Sequence, residues 1–188
     1  MQNTAIHFDE VITESRDLFS KKLQDYGAAW RILRPSSVTD QIFIKVNRIR
    51  TLQITGVKMV NEDEREEFIA IINYSIIGLI QLNQGVGTAE SWEYYSKEFE
   101  EILNAYDFHV EEAKTLMLHK NHDYGEAWKD MRISSITDMI FQKVLRLKQI
   151  ENNKGKTIIS EGIEANYYDI LNYAIFCLIK INYLFEHL

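Results

Sequence analysis

The chain repeats itself. Residues 16–50 align without a gap to residues 114–148 at an offset of 98, with 17 identities in 35 positions. The shared core reads Lys22-x-x-Asp25-Tyr26-Gly27-x-Ala29-Trp30 against Lys120-x-x-Asp123-Tyr124-Gly125-x-Ala127-Trp128. It continues as Ser36-Ser37-x-Thr39-Asp40-x-Ile42-Phe43-x-Lys45-Val46-x-Arg48 against Ser134-Ser135-x-Thr137-Asp138-x-Ile140-Phe141-x-Lys143-Val144-x-Arg146. One extra residue later shifts the offset to 99 and pairs Asn73-Tyr74 with Asn172-Tyr173. Two copies of so long a unit signal duplication rather than a solenoid. Any fold must therefore accommodate two like halves.

Each copy reads as three helices, so the fold class is all-α: two tandem repeats of a three-helix unit, packed as a pseudo-two-fold helical bundle. The first segments, about 8–23 and 106–122, end at Asp-Tyr-Gly, where glycine can adopt the left-handed conformation that stops a helix. Ser37-x-x-Asp40 and Ser135-x-x-Asp138 have the pattern of capping boxes opening the second helices. Ile136, Ile140, Val144 and Leu147 follow at helical spacing as an apolar face. A third helix, about 161–186, carries a near-continuous apolar stretch from Ile170 to Ile181 and is expected at the bundle centre. The divisions are 1–89 for the first repeat, 90–105 for a helical connection and 106–188 for the second repeat, the two repeats forming one domain.

Composition narrows the function classes. Twenty-one basic residues against 28 acidic ones give a net charge of −7, which disfavours direct binding to a phosphate backbone. The lone Cys177, inside an apolar run, excludes a disulfide framework and reads as a small core residue. Met1 to Val11 lacks the apolar stretch of a signal peptide, and polar residues interrupt every long apolar run. A cytoplasmic chain with no membrane partner is expected, either a monomeric pseudo-dimer or a homodimer. His119 and His122 flank Lys120 at a helix end, a surface pattern rather than a metal-ligand one.

The chemistry-bearing residues concentrate in the second copy. Glu161, Glu164 and Asp169 open its third helix, with Asn172 on the same side as Glu161 and Asp169. Converging carboxylates are hard oxygen ligands suited to Mg²⁺. The helix dipole alone also favours glutamates in a first turn, but it does not account for Asp169, deeper among apolar neighbours. On the second helix Lys143 and Arg146 can face one phosphate, or line a solvated face. Asp138 serves as a cap or as a further metal ligand. Lys120, Asp123, Tyr124 and Trp128 cluster at a helix end that could hold a base by stacking, or form a structural corner.

These motifs resemble the nucleotide modification associated domain family, itself similar to the MazG-like all-α nucleoside triphosphate pyrophosphohydrolases. The stretches that carry the resemblance are Lys120–Trp128, Lys143-x-x-Arg146 and Glu161-x-x-Glu164-x-x-x-x-Asp169-x-x-x-Tyr173-Ala174. The resemblance implies Mg²⁺ held by Glu161, Glu164 and Asp169, with Asp138 as a further ligand. It implies a nucleoside triphosphate steadied by Lys143 and Arg146, and hydrolysis to nucleoside monophosphate and pyrophosphate. The alternative is a non-catalytic nucleotide-binding or accessory module associated with nucleotide or DNA modification.

The chain departs from the MazG-like pattern. Gln142-Lys143 stands where an acidic pair is expected on the second helix, and Asn166-x-x-Asp169 replaces Glu-x-x-Asp. The first copy has Arg65 for Glu164 and Ala70 for Asp169, with Glu62, Glu66 and Glu67 nearby. Two unequal sites are expected, the second copy supplying the better metal half.

Overall fold

The computed structural model of the chain describes residues 2–59, 63–88 and 99–184. These form six α-helices in two sets of three: α1 (Gln2–Tyr26), α2 (Pro35–Thr55), α3 (Glu64–Gln84), α4 (Phe99–Tyr124), α5 (Ile133–Asn152) and α6 (Ile163–Ile179). A 3₁₀ turn follows each first helix, Ala29–Ile32 and Ala127–Asp130, and a π-helical turn, Lys180–Leu184, extends α6. There is no strand among the described residues. Residues 90–98 of the expected connecting helix, and Glu62, lie outside the described residues; residues 99–105 open α4.

The first helices end where the glycines dictate. Gly27 and Gly125 adopt φ of 63° and 61°, a conformation that L side chains resist. The second helices begin earlier than the Ser-x-x-Asp spacing predicts. Their N-caps are Arg34 and Arg132, neither bonding a backbone amide through its side chain, and Pro35 occupies the first turn of α2. A proline there forfeits only an amide that has no intrahelical acceptor anyway. The capping-box assignment of Asp40 and Asp138 is thus corrected. Asp138 meets Arg50 at 2.8 Å and Asp40 meets Lys148 at 2.6 Å, a reciprocal pair of salt bridges between α2 and α5.

Packing follows the duplication. Helix α2 lies against α3 as α5 lies against α6, and the two halves meet through α2 on α5 and α3 on α6. Helices α1 and α4 cross over, each touching the third helix of the other repeat. Ile136, Ile140, Val144 and Leu147 are all buried, as their spacing predicts. Helices α3 and α6 form the centre, where Ile71, Ile72, Ile76 and Ile80 face a core shared with Ile170, Leu171, Ile175 and Leu178. Gly78 is required at this crossing: a Cβ there would stand 2.6 Å from the Tyr167 ring. No helix among the described residues is long and apolar enough to cross a membrane.

The turns bearing the tryptophans are pinned by equivalent positions. Gln81 Nε2 donates to the carbonyls of Arg31 (2.9 Å) and Leu33 (2.8 Å). In the second repeat Lys180, the counterpart of Gln81, donates to the carbonyl of Lys129, the counterpart of Arg31. Trp30 and Trp128 are thereby held between a helix end and the central pair.

Candidate functional site

In the second repeat, Asp169 gathers two lysines from two other helices. Lys143 Nζ, from α5, donates to Asp169 Oδ2 at 2.5 Å, and Lys120 Nζ, from the end of α4, donates to Asp169 Oδ1 at 2.6 Å. Asp169 and Lys143 side chains are 8% and 11% exposed, whereas Lys120 reaches solvent. A buried carboxylate must be neutralised, and two ammonium groups do so here. Glu161 Oε2 stands 3.6 Å from Lys143 Nζ on the solvent side. These four residues form one polar cluster where α4, α5 and α6 meet.

The other expected residues are placed differently. Asn172 anchors α6 to α4, its Nδ2 donating to the Ala113 carbonyl at 3.1 Å. Trp128 is buried, donates from Nε1 to Asn121 Oδ1 at 3.1 Å, and stacks on Phe176 with ring centroids 4.2 Å apart. It is the core anchor of its corner, not an open stacking platform. Asp123 meets His122 at 3.2 Å on the surface, and Tyr124 is 73% exposed. Glu164 is exposed, and Asp138 is drawn away to Arg50. Arg146 is half-buried and makes no ion pair or hydrogen bond among the described residues.

That arrangement does not fit a carboxylate cage for Mg²⁺. Each Asp169 oxygen already accepts from a lysine, and two ammonium groups beside it repel a divalent cation. No group of three or more His, Cys, Asp or Glu side chains able to hold a metal occurs among the described residues.

The first repeat builds the same cation set around a carboxylate in a different place. Lys22, Lys45 and Arg48 are the counterparts of Lys120, Lys143 and Arg146. Ala70 stands for Asp169, and the buried carboxylate is Glu67, the counterpart of Asn166. Arg48 donates to Glu67 Oε1, while Lys45 Nζ lies 3.2 Å from Glu67 Oε2. That oxygen is buried and accepts no hydrogen bond, so the Lys45 contact is an ion pair outside hydrogen-bond geometry. Lys22 is exposed and has no partner among the described residues.

Beside this set lies a cavity of about 900 Å³, walled by Lys22, Tyr26, Trp30, Lys45, Ala70 and Tyr74 among others. Asn73 also lines it, its amide held by the Ser15 carbonyl and by the Tyr106 hydroxyl, which donates to Oδ1 at 2.9 Å. Two substitutions between the repeats mark this space: Ala70 for Asp169, and Ile77 for the Phe176 that stacks on Trp128. The loss of the acid was legible in the alignment; the loss of the aromatic ring gains meaning only from the stacking of Phe176 on Trp128. Their shared consequence, an opening, was not legible there.

Burial perturbs the tyrosines of both repeats. Tyr173 is pushed up to about 12, by burial first and then by the nearby charges of Asp169 and Glu161. Tyr26 is raised by burial, with Tyr74 and Asp25 adding to the effect. Both phenols stay neutral near pH 7 and can donate hydrogen bonds.

The model of Nucleotide modification associated domain 1 matches the chain twice, over residues 22–82 and 120–181. The two matches begin at Lys22 and Lys120 and take in both cation sets. No curated protein and no solved structure matches the chain.

Proposed function

Taking as premise that the chain belongs to the Nucleotide modification associated domain 1 family, we propose that it is a nucleotide-binding module that holds phosphate groups with the Lys-Lys-Arg set built in duplicate. The observation that carries this reading is the convergence of Lys120 and Lys143 on the two oxygens of Asp169. Two ammonium groups spaced to grip one carboxylate are also spaced to grip two oxygens of one phosphate. Arg146 and Arg48, one turn beyond the second lysine of each set, add a guanidinium to the same face. Mg²⁺, in this reading, arrives on the phosphates of the nucleotide rather than in a carboxylate cage.

The second reading is the Mg²⁺-dependent pyrophosphohydrolase implied by the sequence resemblance, which would release nucleoside monophosphate and pyrophosphate. It draws on Glu161 and Asp169 both lying within ion-pair distance of Lys143. The pairing of both Asp169 oxygens with lysines favours binding over metal-led hydrolysis.

Thermal melting with ribo- and deoxynucleoside triphosphates, with and without Mg²⁺, tests the first reading. A ligand at a hundred times its dissociation constant adds about 2.7 kcal/mol of stability. A shift without pyrophosphate release is the expected result. A shift with Mg²⁺-dependent pyrophosphate release moves the assignment to the second reading, and no shift with any nucleotide removes both.

A further inference from the structure

The two repeats are not equivalent sites. We infer that the second repeat carries its own internal anion, Asp169, and that the ligand site is the cavity of the first repeat, which takes a phosphate-bearing molecule with a flat ring. This rests on the nucleotide-binding reading and says which half does the binding.

The equivalent lysines of the two repeats are engaged differently. In the second repeat Lys120 and Lys143 are both spent on Asp169. In the first repeat Ala70 stands at that position, so no carboxylate fills the corresponding place between Lys22 and Lys45. Lys22 has no described partner, and Lys45 rests against Glu67 without forming a hydrogen bond. An incoming phosphate would occupy the place that Asp169 holds in the other half. The remaining cations of the wall do not compete: Arg65 is paired with Glu14, and Lys21 with Asp17 at 2.6 Å. Exposed Glu66 lines the same cavity and pairs with no described cation, so its carboxylate can accept from a sugar hydroxyl.

Room for a ring comes from the second substitution. Trp128 is covered by the parallel face of Phe176, but Trp30 has Ile77 at that position, with a tilted Phe19 at 6.2 Å between centroids and the Arg31 guanidinium 5.7 Å from its ring centre. Trp30, Tyr26 and Tyr74 therefore present aromatic surface to the cavity. A volume of about 900 Å³ lies within the range of small-molecule sites. Three aromatics beside Lys22, which has no described partner, and Lys45, whose ion pair with Glu67 leaves its hydrogen bonds to give, suit a nucleotide better than an apolar ligand or a bare sugar.

Isothermal titration with two probes, inorganic tripolyphosphate and the panel of nucleoside triphosphates, tests the inference on the full chain. Wild type should bind one equivalent. Lys22→Ala, a surface change, should weaken both probes by about ten- to a hundredfold, the loss of one charge-assisted hydrogen bond. Ala70→Asp should abolish binding by installing the internal anion of the second repeat. If Ala70→Asp fails to fold, Lys22→Ala decides alone. Unchanged nucleotide binding by Lys22→Ala overturns the inference and leaves nucleotide binding by the chain intact. Tripolyphosphate binding that depends on Lys22, without binding of any nucleoside triphosphate, supports the anion site and removes the nucleotide. Binding of neither probe overturns both.

Discussion

Glu67 and Asp169, the buried carboxylates of the two cation sets, sit three residues apart in the repeat alignment, one helical turn along equivalent helices. That single turn selects which cations are engaged. At the Glu67 position a carboxylate reaches Arg48 and Lys45 and leaves Lys22 without a partner among the described residues. At the Asp169 position it reaches Lys143 and Lys120, and Arg146 has no partner among the described residues. Duplicated cations with a displaced acid convert one ancestral arrangement into two different ones.

The energetic consequence is asymmetric. Asp169→Leu removes the buried acid and leaves Lys143 with the exposed Glu161 at 3.6 Å, which should destabilise the fold by about 3 kcal/mol. Adding Lys143→Met to the same chain removes the stranded charge and should recover most of that loss. Urea unfolding of the single and double variants measures the difference. Equal stabilities of the two would show that the loss of Asp169 does not strand Lys143.

Much of the architecture was readable because it depends on local rules. The Asp-Tyr-Gly stops and the apolar spacing on α5 each act within a few residues and hold in the structure, and the repeat carries the same local rules to both halves. Asp40 and Asp138 were misread because Ser-x-x-Asp is also a plausible capping pattern. Pro35, a good first-turn residue, argued for an earlier start, and the true partners Lys148 and Arg50 lie in the other repeat. Of the carboxylates expected together in the second repeat, Glu161 and Asp169 share Lys143, whereas Glu164 is exposed and Asp138 pairs with Arg50. Spacing places Asp169 on a face; only packing determines that Lys120 and Lys143 reach it first.

Gly78 sets how closely α3 and α6 approach. Gly78→Ala would drive a methyl group to 2.6 Å from the Tyr167 ring, which is buried and tied to Thr39 at 3.1 Å. Overpacking of this kind should cost about 1–3 kcal/mol. Shortening the ring by Tyr167→Leu in the Gly78→Ala background should return part of the loss. A wild-type denaturation midpoint for Gly78→Ala alone would count against the close approach.

His109 should make the fold sensitive to mild acid. It is buried, with Nδ1 2.8 Å from the Tyr168 hydroxyl, and burial lowers its pKa below the ordinary 6.5. As the pH falls through 6.5 the unfolded chain takes up a proton that the folded chain refuses, so stability declines, and the decline continues until the lowered pKa of the folded state is passed. Above pH 7 both states are neutral at this group and it contributes no slope. The stability difference between wild type and His109→Gln, followed by urea unfolding from pH 7.5 to 5, should therefore shift against wild type on the acid side. A difference independent of pH would mean that His109 protonates as readily folded as unfolded.

A hydroxyl present in one repeat is missing in the other. Tyr106 donates to Asn73 Oδ1, completing the hydrogen bonds of that buried amide. The counterpart amide, Asn172, anchors its Nδ2 to Ala113 in the same way, but its Oδ1 is buried without a partner. The counterpart of Tyr106 is Phe8, fully buried and without a hydroxyl to give. An unsatisfied buried carbonyl costs more than a typical hydrogen bond returns, so the two helices are unequally anchored. Tyr106→Phe should destabilise the chain by about 1–3 kcal/mol, the cost of stranding Asn73 Oδ1. Phe8→Tyr should stabilise it by about 1 kcal/mol if the new hydroxyl reaches Asn172. Denaturant midpoints measured on both variants decide the point. A loss in the first with a gain in the second follows only if the duplicated helices α1 and α4 retain equivalent positions against the opposite third helix. A loss in both would show that Phe8 packs without room for an oxygen, and that the symmetry ends before it reaches the core around Asn172.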